Sequence, residues 1–150
     1  MSAGDRQEVI QWREALLWMA KAEADIAGAR TLLSSEQHEL AGFLIQQALE
    51  KALKALLVAA AQDVRRTHDI DALATLARAH WPQLLPSPFP LAVVTQWYVS
   101  TRYPGFDEPS PTTAEVAGAL AAVAGFVSDV ARHSPADVAA AGGKESEPRR

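Results

Sequence analysis

EQHELAGFLIQQALEKALKALLVAAAQDVRRTHD, residues 36–69, decides the fold. Leu40, Phe43/Leu44, Gln47/Ala48, Ala52/Leu53, Leu56 and Ala60 recur at three- and four-residue steps, the period of a helix with one buried face. Leu49 and Leu57 widen that stripe, so the helix needs partners on more than one side. The reading places a helix over 36–62, roughly 40 Å long at the usual rise per residue. It ends at a basic corner, Arg65-Arg66-Thr67-His68-Asp69.

Upstream, Trp12, Leu16, Met19, Ala22/Glu23, Ile26, Ala29 and Leu33 form the stripe of a first helix over 5–34, with Asp5 as the expected N-cap. Only Ser34-Ser35 separates the two helices, so they must run antiparallel. Downstream, Thr67 is expected to cap a third helix with Ile70, Leu73, Leu76 and Ala77 inward, stopped at Trp81-Pro82. Residues 82–90 hold four prolines and are irregular. Pro90 suits the first turn of a fourth helix over 90–101, with Leu91, Val94, Trp97 and Tyr98 on one face. A proline-rich loop from Arg102 to Pro111 follows. Thr112 and Glu115 then have the spacing of a capping box for a last helix to His133, with Val116, Leu120, Val123, Phe126/Val127 and Val130 inward. The expected fold is all-α: an up-and-down antiparallel bundle of about five helices over 5–133. From Ser134 to Arg150 the chain turns Ala/Gly-rich and then charged, the composition of a flexible tail.

The 150 residues suffice for one domain with a sizeable core, and helix-forming residues dominate them. A net charge of −4 argues against a broad nucleic-acid-coating surface, though a small basic site fits on an acidic body. The chain lacks cysteine, which excludes disulfide and thiolate chemistry. The start has acidic residues and no uninterrupted apolar core, unlike a signal peptide. No charge-free apolar run reaches membrane-spanning length. A cytoplasmic protein is the expectation.

Neither Gly-x-x-x-x-Gly-Lys-Ser/Thr nor Gly-x-Gly-x-x-Gly occurs, which removes the common phosphate cradles. His38, His68, His80 and His133 are scattered, and no metal-ligand spacing or cofactor motif appears. Three groups of residues can carry chemistry. Gln46, Gln47, Glu50, Lys51 and Lys54 put polar groups beside the apolar stripe, either as a solvated face with a Glu50–Lys54 pair or as a groove for a phosphate or carboxylate. Arg65, Arg66, Thr67 and His68 stand at a helix N-terminus, where free amides and the dipole favour anions; the competing role is capping. Arg102 ends a helix and Tyr103 precedes a proline, so these two either stabilise and pack or present a cation and a hydroxyl. The tryptophans suit the core, except Trp18, which falls off its stripe and suits an interface.

These segments combine into a pattern. Trp18-x-x-x-Ala22-x-x-Asp25-Ile26-x-x-Ala29 comes first. Phe43-x-x-Gln46-Gln47-Ala48-x-Glu50-Lys51-x-x-Lys54-Ala55-Leu56 follows, then Thr67-His68-Asp69-Ile70-x-x-Leu73, then Arg102-Tyr103-Pro104. Together, over about residues 12–132, they resemble the HEPN domain family (higher eukaryotes and prokaryotes nucleotide-binding). The resemblance implies a compact helical bundle, often a homodimer, and a minimal nucleotidyltransferase as partner chain, commonly as a toxin–antitoxin pair. Many members are metal-independent ribonucleases whose signature is an arginine followed by a histidine after four to six intervening residues. No arginine here meets that rule; Arg30 and His38 come nearest, with seven residues between them.

Three functions remain in play. One is a non-catalytic nucleotide- or partner-binding protein using Lys51, Lys54, Arg65, Arg66, Thr67, His68, Arg102 and Tyr103. Another is a ribonuclease toxin with a non-standard site, His68 as general acid or base and Arg102 stabilising the transition state. The third is an adaptor that binds another chain through exposed apolar faces.

Overall fold

The computed structural model of the protein describes residues 1–64, 66–97, 104–105, 110–136 and 138. Among these lie four α-helices, one 3-10 helix and no strand: α1 Ala3–Ser34, α2 His38–Ala59, α3 Ile70–Arg78, the 3-10 helix Ala92–Gln96 and α4 Thr113–Arg132. The architecture is the expected all-α bundle.

α1 starts earlier than Asp5. Ser2 is its N-cap, and Asp5 is the acidic partner of a capping box: Asp5 N donates to Ser2 Oγ at 3.0 Å, and Ser2 N donates to Asp5 Oδ2 at 2.8 Å. Both long helices end in the same way. At the end of α1, Gln37 N donates to Leu32 O and Glu36 N to Leu33 O; at the end of α2, Gln62 N donates to Leu57 O and Ala61 N to Val58 O. These are Schellman endings, and they require a left-handed residue at the turn. The chain uses Glu36 (φ 61°) and Ala61 (φ 56°) there instead of glycine. The first of these turns folds α2 back antiparallel onto α1, the most extensively packed pair of elements. At Gly28 a Cβ would lie 2.9 Å from Leu44 Cδ1, so a side chain there would press directly on α2.

α2 is the central element. Ala41, Ile45, Ala48, Leu49, Ala52, Leu53, Ala55, Leu56 and Leu57 are all buried, against α1 on one side and α3 and α4 on others. Leu40 departs from its expected place on the stripe: at 50% exposure it lies in line with Leu44, Gln47, Lys51 and Lys54, the half-buried edge of α2, while Ala41 and Gly42 beside it are buried. Leu76, expected inside α3, is also exposed, because Ala74 and Ala77 complete that short helix's inward face.

Asp69, not Thr67, caps α3. Within the expected fourth helix, residues 92–96 form a 3-10 helix and Trp97 is α-helical, with Val94 and Trp97 buried; residues 98–103 lie outside the described part. Arg78 steadies the proline-rich segment before it, donating from Nε to Leu85 O (2.6 Å) and from Nη2 to Pro86 O (3.0 Å). Trp81 closes the far end of the bundle. Its indole N–H donates to Leu56 O at 3.1 Å, and its ring meets Trp12 and His133 edge-on, with centroids 5.6 and 6.1 Å away.

α4 carries the predicted capping box of Thr112 and Glu115 and buries Val116, Leu120, Val123, Phe126, Val127 and Val130. It is long and apolar enough to cross a membrane by length and composition, with mean hydropathy 1.5. Its large side chains nevertheless face the core, and Gly118, Ala121, Ala122 and Gly125 supply most of the apolar outer face. Val138 is buried in the core beyond the boundary expected at His133, so the bundle draws on the start of the C-terminal segment; residues 139–150 lie outside the described part.

Candidate functional site

Gly42, Gln46, Glu50 and Lys54 follow one another every fourth residue and form a single line along α2. A Cβ on Gly42 would touch Trp97, Pro111 and Val116, so the upper end of this line faces the 3-10 helix and the start of α4. The lower end faces the α2–α3 corner through His68. The line is a polar seam set in an apolar wall.

Glu50 is its centre. It is only 3% exposed. Its Oε1 accepts from His68 Nδ1 at 2.7 Å and lies 3.4 Å from Lys54 Nζ. A carboxylate has no proton to donate, so the proton in the first bond sits on Nδ1 of His68. Burying a carboxylate is unfavourable unless donors and charges surround it, and Lys54 and His68 supply them here. Lys54 is almost as enclosed as Glu50, whereas the side chain of His68 is 52% exposed and projects from the corner. Of the two places that the sequence allows this face, solvated surface or groove, the Glu50–Lys54 pair is not on the solvated one: it forms inside.

Gln46, one turn earlier, is fully buried. Its Oε1 accepts from Gln47 Nε2 at 2.6 Å, and its own Nε2 finds no partner among the described residues. A buried amide donor without an acceptor is unfavourable by about 1–3 kcal/mol.

The expected site residues divide. Lys51 leaves the seam: it points to α1 and pairs with Asp25 at 2.5 Å, tying the two long helices together. Lys54 and His68 meet at Glu50. Arg66 is exposed at the corner, and Thr67 is half-buried with its Oγ1 accepting from Asp69 N at 3.1 Å. Arg65, Arg102 and Tyr103 lie outside the described residues, so the His68–Arg102 pairing has no geometry to report.

The N-terminus of α3 is already occupied. Asp69 Oδ1 accepts from Asp71 N and Ala72 N, Asp69 O accepts from Leu73 N, and Thr95 Oγ1 accepts from Ile70 N at 2.7 Å. The amides that an incoming phosphate would use are satisfied by a carboxylate, a carbonyl and a hydroxyl from within the chain. An anion at this corner would therefore have to be met by side chains and not by the α3 amides. Thr95 escaped sequence reading because nothing local marks a hydroxyl that caps a helix 25 residues away. Glu50 was visible only as a helix-face charge, since the feature that matters, its burial, comes from neighbours distant in sequence. Among the described residues no cluster of three or more His, Cys, Asp or Glu is placed to hold a metal ion.

An antiparallel all-α bundle with one carboxylate-centred polar seam between its central helix and a basic corner is the class that the fold and site define. A family profile for the HEPN domain matches residues 15–133, and the chain belongs to that family. The crystal structure of TT1696 from Thermus thermophilus is similar, with a TM-score of 0.65 and 29% sequence identity over 80% of this chain and 98% of that one. No protein of curated function matches the chain.

Proposed function

We propose that this HEPN protein is a non-catalytic nucleotide- or partner-binding component of a cytoplasmic, toxin–antitoxin type system, self-associating and paired with a minimal nucleotidyltransferase. The observation that carries the reading is the Glu50 cluster. One buried carboxylate brings Lys54 and His68 together, with Arg66 exposed two residues before His68, so that polar side chains able to meet a phosphate gather at the end of α2. Preorganisation lowers the ordering cost of gripping a phosphate. The lack of an arginine–histidine pair at the ribonuclease spacing favours binding over cleavage.

Isothermal titration with ATP, GTP and a short RNA tests the ligand. Binding that weakens in Lys54→Ala and in Arg66→Ala supports the corner; no heat with any of the three at millimolar concentration ends the nucleotide part. Reading the adjacent open reading frame, then co-expressing and co-purifying its product with this chain, tests the partner; a neighbour that is no nucleotidyltransferase, or that does not co-purify, ends the pairing.

A second reading rests on the Glu50–His68 hydrogen bond itself, which is how a carboxylate orients a general-base imidazole. In this reading His68 exchanges protons at the scissile phosphodiester and Arg102 stabilises the transition state. Labelled RNA left intact by the purified protein, with no growth defect on expression, removes it. Cleavage lost in His68→Ala establishes it.

A further inference from the structure

A groove runs between α1 and α4 and shares no residue with the Glu50 corner. Glu23, Ile26 and Arg30 line it from α1, and Ala124, Val127 and Ser128 from α4. Ile26 and Val127 are buried and Ala124 is half-buried, so the floor is apolar; Glu23, Arg30 and Ser128 are exposed and form the rim. The bundle leaves both charges of that rim unused. Glu23 and Arg30 are in no ion pair among the described residues, and no opposite charge stands three or four residues from either along α1. The charges beside Ser128 on α4, Asp129 and Arg132, pair with each other.

Charge and size together specify an occupant. Glu23 and Arg30 stand two turns apart, about 10 Å along the helix axis. Helical side chains lean toward the N-terminus, so Glu23 leans away from Arg30 and the two do not close on each other. The groove holds about 250 Å³, room for about eight waters at the ~30 Å³ that each takes in the liquid. That is less than the about 300–1,000 Å³ of sites for drug-sized ligands and too little for a nucleotide, but it accommodates an amino acid. A carboxylate suits the fork of Arg30, which can bind it bidentately. An ammonium suits the Glu23 carboxylate, with the Ser128 hydroxyl as a further acceptor. An alkyl side chain covers the floor and leaves water.

We propose that the groove between α1 and α4 binds a small zwitterion with an apolar side chain, of the class of the branched-chain amino acids, its carboxylate on Arg30, its ammonium on Glu23 and its alkyl chain over Ile26 and Val127. The site uses none of Lys54, Arg66 and His68, so it stands or falls independently of nucleotide binding and of the nucleotidyltransferase.

Nuclear magnetic resonance titration of the isotope-labelled full chain with L-leucine is the test, because the amide spectrum both locates the ligand and reports folding. Leucine is expected to shift the amides around Ile26 and Val127 saturably, with a midpoint on the order of millimolar. Isocaproate, which lacks the ammonium, and isoamylamine, which lacks the carboxylate, are each expected to bind at least about threefold more weakly, since each leaves one rim charge unmet. Glycine, which lacks the alkyl chain, is expected to bind about tenfold more weakly. Arg30→Ala and Glu23→Gln, both at exposed positions, are expected to weaken leucine binding at least about threefold with the spectrum otherwise retained. No saturable shift around Ile26 and Val127 with leucine up to about 50 mM overturns the site. Isocaproate or isoamylamine binding as tightly as leucine overturns the zwitterion, and glycine doing so overturns the apolar floor. Leucine affinity unchanged in either variant overturns the role given to that side chain.

Discussion

Ala61 sits at φ 56°, where a Cβ crowds the following carbonyl and ordinary residues lose about 1–2 kcal/mol relative to the right-handed region. The helix end demands that conformation, because the bonds from Gln62 N and Ala61 N to the last carbonyls of α2 form only there. Ala61→Gly is therefore expected to raise stability by about 0.5–1 kcal/mol, the strain relief less the greater entropy of glycine in the unfolded chain. Urea denaturation checks it; an unchanged or lower midpoint contradicts it. Asp5 is another local feature with a measurable consequence. The bond from Ser2 N, with the Ser2 hydroxyl second, holds its carboxyl below the usual aspartate value of 3.8. A lowered folded-state pKa contributes stability that is present above 3.8 and lost as pH falls through the lower folded value. Acid titration of α1 helicity in Asp5→Asn should therefore show a smaller low-pH loss than in the wild type, with the other carboxylates unchanged.

α2 does two jobs on different faces. Its apolar faces bind α1, α3 and α4, while the Gly42–Gln46–Glu50–Lys54 line is held by the corner it leads into. Glu50→Ala strands an almost buried Lys54 and unties His68, and is expected to cost about 3–5 kcal/mol of stability in urea denaturation. Lys51→Ala, by contrast, removes a partly exposed tie to Asp25 and is expected to cost about 1 kcal/mol or less. Gln46 separates structural from ligand roles. Gln46→Leu removes the donor that has no partner, so stability is expected to rise by about 1 kcal/mol. If that amide serves a ligand, the same variant loses nucleotide affinity while gaining stability, a pair of signs that titration and denaturation read together.

At the scale of the molecule, much of the bundle was legible beforehand, because burial along a long helix follows the helical period. The stripes Trp12–Met19–Ile26 and Val116–Val123–Val130 lie inside as read, and the capping box of Thr112 and Glu115 forms. The failures fall where local pattern and tertiary cover part ways. Leu40 lies on the edge line of α2, one step off the buried Ala41 and Gly42, and Thr67 has the right chemistry for a cap that Asp69 takes instead. At the candidate site the sequence marks Lys54 and His68 but not their meeting at Glu50, since a helix-face glutamate has the same sequence pattern whether water or protein surrounds it. A whole-molecule measurement follows from that meeting. Glu50→Gln keeps the shape of the seam but removes its charge, and is expected to weaken binding of ATP or RNA at the corner by about tenfold with the fold retained. Unchanged affinity would place the ligand elsewhere.

By itself the sequence determined the helices, their antiparallel order and the family, because each of these is written in period, spacing and short-range chemistry. Only the tertiary structure decided which polar groups of residues 36–69 are buried. It turned Lys51 toward Asp25, closed the α3 N-terminus with Thr95 and placed His68 on Glu50. The physical reason is that the cost of burying a charge depends on everything packed around it, and those neighbours come from parts of the chain far from the helix that carries the charge.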